Sequence, residues 1–142
     1  MSGFLLDTNV ISELVKPKPD SRVTSWIQSV EESVLHLSVL TLGEIRQGIA
    51  ALPNARKRAT LEAWLETDLR HRFHGRILPI DDGVADRWGL LTAHARMIGV
   101  ALPVIDALLA ATALHHNLTF VTRDVSAVRN AGVSFFNPWE AD

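Results

Sequence analysis

The chain has 142 residues, no cysteine, and 14 basic against 16 acidic side chains, a formal charge of −2. With 47% hydrophobic and 21% charged residues, it can bury about two-thirds of its unfolded surface, which excludes wholesale disorder and favours one domain over residues 1–142. Without cysteine there is no disulfide scaffold, thiolate metal site or cysteine nucleophile, so a metal must be held by carboxylate, imidazole, carbonyl or water.

The near-neutral balance speaks against a uniformly basic coat for nucleic acid, though not against a local basic patch. MSGFLLDTNV lacks the basic lead and long apolar stretch of a secretory signal. No run approaches the roughly 20 apolar residues of a membrane helix. The expectation is a soluble, cytoplasmic protein with no membrane partner.

In chain order, residues 3–6 form a short apolar strand. Asp7, Thr8 and Asn9 then offer helix-capping chemistry before VISELVK continues as a helix. KPKPD at 16–20 breaks it. Val23, Trp26, Ile27 and Val30 make a second helical stripe, and VLHLS at 34–38 alternates like a strand. Residues 42–52 return to helical spacing. A long helix over 55–74 carries Leu61, Trp64, Leu65, Leu69 and Phe73 on one face. Residues 77–80 read as a strand. Asp81 and Asp82 lead into a helix that buries Val84, Trp88, Leu91, Ala95 and Ile98. Pro103 opens an apolar helix packed on both sides, and strands at 119–122 and 133–136 follow. Such alternation predicts an α/β fold, a mostly parallel central sheet flanked by helices on both faces. The helical pair over 41–74 departs from the alternation and is expected to protrude.

Ligands of open parallel sheets bind beyond the carboxyl ends of the strands. Four carboxylates fall at strand-to-helix transitions there: Asp7, Glu44, Asp106 and Asp124. Hard oxygen donors in one cluster suit Mg²⁺ or Mn²⁺, and without a cation they would repel one another. Each also has a local reading: Asp7 as a cap, Asp106 on the helix dipole, Asp124 in a turn, Glu44 on a solvated face. On pattern alone both readings remain open.

LLDTNVISELVKP, SVLTLGEIRQGI, PVIDALLAATALHHNLTFVTRD and VSFFNPW together resemble the PIN-domain family over essentially the whole chain. More narrowly they resemble its VapC-type (FitB-like) toxins. The resemblance implies a metal-dependent endoribonuclease with Asp7, Glu44, Asp106 and Asp124 as its catalytic quartet. Asp7 and Asp106 match the metal ligands, and Asp124 and Glu44 complete the site directly or through water. Thr8, Asn9 and Thr122 match polar positions that orient carboxylates and water. The implied cofactor is Mg²⁺, with Mn²⁺ able to substitute. Two departures stand out: Asp124 replaces a frequent Asn, and Val128 replaces a frequent aromatic. The implied partners are an RNA substrate, a cognate antitoxin and a second copy in a homodimer; the helices around Trp26 and Trp64 read equally as its interface or as core.

Between Arg46 and Arg76, seven Arg or Lys stand against Glu62, Glu66 and Asp68, a local excess of +4. Arg58–Glu62 and Glu66–Arg70 have the spacing of helical ion pairs. That leaves Arg72 and Arg76 unpaired and open to RNA phosphates, along with Arg123. Arg46 is placed to meet an antitoxin's acidic tail. His71 and His74 are secondary RNA candidates, and His115 and His116 end a helix. Two other classes compete. A haloacid-dehalogenase-type phosphohydrolase needs a second Asp two residues after the first, where this chain has Asn9. A non-catalytic RNA- or protein-binding PIN-like domain would be expected to lose carboxylates, and none of the four is missing.

Overall fold

The computed structural model describes residues 3–141. Five strands, β1 (Phe4–Leu6), β2 (Leu35–Ser38), β3 (Ile77–Leu78), β4 (Thr119–Val121) and β5 (Phe135–Phe136), form one sheet. All pairings are parallel, in the order β3-β2-β1-β4-β5. Side chains alternate across a strand. Leu6 and Val121 therefore enter one core, while Leu5 and Phe120 enter the other.

The first core is covered by α1 (Thr8–Leu14), α2 (Ser21–Ser29), α3 (Val39–Ala50) and a later π-helical stretch. The second is covered by α6 (Asp82–Met97) and α7 (Val104–His115), whose Ala107 and Leu109–Ala113 are buried. Val128 is buried there too, so its difference from an aromatic touches packing. Helices sit on both faces, as the alternation predicts. Their starts are set by local chemistry: Asp20, Ser38, Asn54 and Asp81 each accept a backbone N–H two or three residues on. At Gly3 a Cβ would run into the Val34 carbonyl oxygen, so glycine lets the chain pass closely before β1.

The long helix is continuous but changes pitch: α4 (Ala55–Ala63), a π-helical stretch (Trp64–Leu69) and α5 (Arg70–Arg72). Leu61, Leu65, Leu69 and Phe73 are four apart, a spacing that drifts by roughly 40° per step around an α-helix. A π-helical turn holds more residues and absorbs that drift. Leu65, Leu69 and Phe73 all stay buried.

Two expectations need correction. The helical pair protrudes only in part, because α3 buries Thr41, Leu42, Ile45 and Ile49 and the π-helical stretch buries Leu65 and Leu69, while α4 buries no residue. Ile98 is 53% exposed rather than buried, because α6 ends at Met97 and the chain turns away. Of the two readings open for Trp26, core and interface, its packing favours core: it is partly buried against the first core, its ring 5.1 Å from those of both Phe4 and Phe136. Among the described residues, no helix is long and apolar enough to cross a membrane.

Candidate active site

The chain runs outward from β1 through β2 to β3, then returns to place β4 against the other edge of β1. The order reverses between β1 and β4, which opens a crevice at their carboxyl ends. Asp7 follows β1 and Thr122–Asp124 follow β4. The Asp7 N–H bonds the Val121 carbonyl at 2.9 Å and ties the two exits together.

Asp7 caps α1 in an unusual way. Its Oδ1 accepts from the Thr8 N–H at 2.7 Å, the first helical residue, whereas ordinary caps reach the second or third. Its Oδ2 accepts from Thr122 Oγ1 at 2.8 Å. The same Thr122 oxygen accepts the Asp124 N–H at 3.1 Å and Asn9 Nδ2 at 3.4 Å. Thr8 Oγ1 donates at 2.6 Å to Glu44 Oε1, on α3. Asp124 Oδ1 accepts from Ser126 Oγ at 2.7 Å. Asp106 stands in the first turn of α7. All four carboxylates, with Thr8 and Asn9, line one cleft of about 450 Å³.

The electrostatics match that crowding. Burial pushes the Asp7 carboxyl up to about 6, against the hydrogen bonds from Thr122 and Thr8; the charges of Glu44 and Asp106 push the same way as burial. Asp106 is also raised, by burial first and then by Asp124 and Glu44. Among the described residues, no three acids or imidazoles stand close enough to hold an ion as they are. Mg²⁺ needs no such cage, since it keeps several waters and is bound through one or two carboxylates. The donor set is hard oxygen with unrelieved negative charge, and it fits such a cation.

The structure also adds residues that sequence reading passed over. Ser12, Glu13 and Lys16 face the cleft from α1 and just beyond, and Trp139 closes it from the C-terminal turn. The i, i+4 spacing of Thr8, Ser12 and Lys16 was the available signal. Thr41 is buried, its Oγ1 3.4 Å from that of Thr8.

The basic residues divide differently from expectation. Arg58–Glu62 and Arg70–Glu66 pair at 3.7 Å, as their spacing predicts. Arg72 and Arg76 are not unpaired: both bind Glu32, at 3.0 and 2.9 Å, a residue 40 and 44 positions earlier that helical spacing could not flag. Arg46 forms an ion pair with Glu66. Of the RNA-directed arginines, only Arg123 lines the cleft; His115 and His116 do not line it and stack edge to face.

A family model for the PIN domain matches residues 4–133. This chain belongs to the PIN-domain family. Toxin FitB of Neisseria gonorrhoeae is 42% identical to this PIN domain over 96% of the chain and 98% of the relative. A VapC ribonuclease of Sinorhizobium fredii is 39% identical over 96% and 98%. Among solved structures, FitAcB from Neisseria gonorrhoeae superposes on this PIN domain with a TM-score of 0.93 at 41% identity, covering 96% of this chain and 99% of that one.

Proposed function

We propose that this PIN domain is a metal-dependent endoribonuclease acting as the toxin of a toxin–antitoxin pair. The observation that carries the reading is the convergence of Asp7, Glu44, Asp106 and Asp124, from four separate elements, on one cleft. Relatives named as a toxin and as a VapC ribonuclease, at about 40% identity over nearly full length, support it.

Asp7 and Asp106 would hold the cation, with Glu44 and Asp124 completing its surroundings directly or through water. Mg²⁺, with Mn²⁺ able to substitute, supplies an acidified water and offsets charge on the phosphoryl oxygens. Thr8 holds Glu44 by Oε1, which leaves the other carboxylate oxygen to take the proton of the attacking water. Thr122 holds Asp7 Oδ2 in register with Asp124. Water rather than the ribose 2′-hydroxyl would be the nucleophile: its oxygen bonds phosphorus as the P–O3′ bond breaks, and the leaving 3′-oxygen takes a proton from solvent water, so the products carry a 5′-phosphate and a 3′-hydroxyl.

An apolar groove of about 240 Å³ opens beside Thr8 and Glu44, lined by Val15, Ile45, Ile49, Leu52, Leu61 and Trp64. It suits an amphipathic antitoxin segment that closes off the cleft. A homodimer is supported by exposed apolar residues where α6 meets α7: Met97 is 83%, Ile98 53% and Val104 61% exposed. A toxin that acts on cellular RNA and is held by its antitoxin would work in the cytoplasm.

The decisive experiment incubates the purified chain with mixed RNAs, with and without Mg²⁺ or Mn²⁺, beside Asp7→Asn and Asp106→Asn. Metal-dependent cleavage lost in both variants is expected. Cleavage that survives EDTA, or survives both substitutions, refutes the reading.

A further inference from the structure

The cleft that must receive a polyanion is walled by carboxylates. Among its described lining residues, only Lys16 and Arg123 are cationic.

Lys16 follows α1, its side chain 54% exposed and its Nζ 2.9 Å from Glu13 Oε1. Glu13 is buried, at 5% exposure, and its Oε2 accepts the Asp20 N–H at 2.9 Å. The carboxylate is thus anchored at its other oxygen, and the lysine head reaches solvent at the cleft edge. Arg123 stands between Thr122 and Asp124 and is exposed. Its guanidinium lies over the Trp139 ring, 5.2 Å from the centroid. Asn137 Nδ2 donates to the Arg123 carbonyl oxygen at 3.4 Å. Trp139 is only 5% exposed, so its ring is a fixed wall. A guanidinium resting over an aromatic ring is attracted to it without using up its N–H donors, which remain for an anion.

We propose that Lys16 and Arg123 form a phosphate subsite on the rim of the cleft, binding the RNA backbone phosphate adjacent to the one cleaved, with Trp139 as the positioning residue for Arg123. The subsite rests on the ribonuclease reading and deepens it. It answers how RNA is retained beside four negative side chains.

The test measures binding of a short fluorescein-labelled single-stranded RNA to the Asp7→Asn protein across a salt series. Each phosphate contact on a single strand contributes about 0.7 to the slope of log K against log salt. Lys16→Ala and Arg123→Ala should each flatten the slope in part, and the pair together by about 0.7, the share of one phosphate. Arg87→Ala, on the exposed side of α6, should leave it unchanged. Trp139→Leu should copy Arg123→Ala, while Trp139→Phe, which keeps an aromatic face, should restore the slope. In the active protein, Arg123→Ala should raise KM roughly ten-fold with kcat nearly unchanged. If the wild type cuts RNA while both alanine variants keep its slope and KM, the subsite is overturned and the ribonuclease reading stands. If the wild type neither binds nor cuts RNA, both fall together.

Discussion

Thr122 Oγ1 donates a 2.8 Å hydrogen bond to Asp7 Oδ2, and that bond bridges the one point where the strand order of the sheet reverses. The same oxygen accepts the Asp124 N–H, so a single hydroxyl registers a carboxylate after β1 against one after β4.

Thr122→Val tests that registration. Thr122 is fully buried, and valine keeps its shape while leaving the Asp124 N–H and Asp7 Oδ2 short of a partner. The expected loss is about 1–3 kcal/mol in urea denaturation. Because the Thr122 bond opposes the upward push on Asp7, its removal should also move the acid limb of the cleavage pH profile to higher pH. Thr122→Ser should retain the wild-type limb. A valine variant with an unshifted limb would contradict the role given to this hydroxyl.

Asp7 itself makes a prediction about the metal-free protein. Its carboxyl rises from 3.8 to about 6 on folding, so between those values the folded state binds more protons than the unfolded one. Stability from this group is therefore intact below about pH 4, falls as pH rises, and is lowest above 6, by at most about 3 kcal/mol. Asp106, also raised, adds in the same direction. In EDTA the wild type should melt lower at pH 7.5 than this pair's contribution allows at pH 5. Asp7→Asn should raise the melting temperature at pH 7.5 and flatten the difference. Added Mg²⁺ should stabilise the wild type at pH 7.5 and do little for Asp7→Asn. Calorimetry of both proteins, with and without Mg²⁺, checks all three.

Thr8→Val separates orientation from charge. The 2.6 Å bond to Glu44 Oε1 is lost, but no carboxylate is removed. Losses of outer hydrogen-bond partners in metal sites typically cost 10–100-fold, and kcat should fall by about that much while RNA affinity in the Asp7→Asn background stays unchanged. Thr8→Ser should recover most of the rate. Single-turnover cleavage beside equilibrium binding distinguishes the two effects.

Much of this arrangement is legible in the amino-acid sequence. Strand–helix alternation and the placement of Asp7, Glu44, Asp106 and Asp124 at transitions between elements are local features, and local pattern predicts the edge of the sheet to which they go. The resemblance to PIN domains then narrowed their chemistry. Lys16 and Trp139 are not legible there because they reach the cleft through tertiary packing: the turn after α1 in one case, the C-terminal turn in the other. The π-helical stretch at Trp64–Leu69 went unread because four-residue spacing mimics an α-helical stripe over one or two turns. Arg72 and Arg76 were misjudged because their partner, Glu32, lies across the β2–β3 edge, beyond any i,i+4 rule.

That last pairing carries its own prediction. Burial raises the Glu32 carboxyl, but hydrogen bonds and charge from Arg72 and Arg76 outweigh it and hold the group below its usual value. Arg76 is the more committed arginine, its side chain only 17% exposed. Besides Glu32, it donates to the Leu35 carbonyl oxygen at 2.7 Å and lies 4.9 Å over the Phe73 ring. Arg76→Ala should therefore cost about 1–3 kcal/mol, whereas Arg72→Ala, 37% exposed, should cost under about 1 kcal/mol. A group with a depressed folded pKa stabilises above its unfolded value of about 4.5 and loses that contribution as pH falls. The penalty of Arg76→Ala should accordingly shrink toward pH 3. Neither variant should change the salt slope of RNA binding, since both guanidinium groups sit beside Glu32 at the amino end of β2, opposite the cleft at the carboxyl ends of the strands. Urea midpoints at pH 7 and pH 3, measured beside RNA titrations, test whether these arginines brace the sheet edge; a flattened slope in Arg76→Ala would return them to the substrate path.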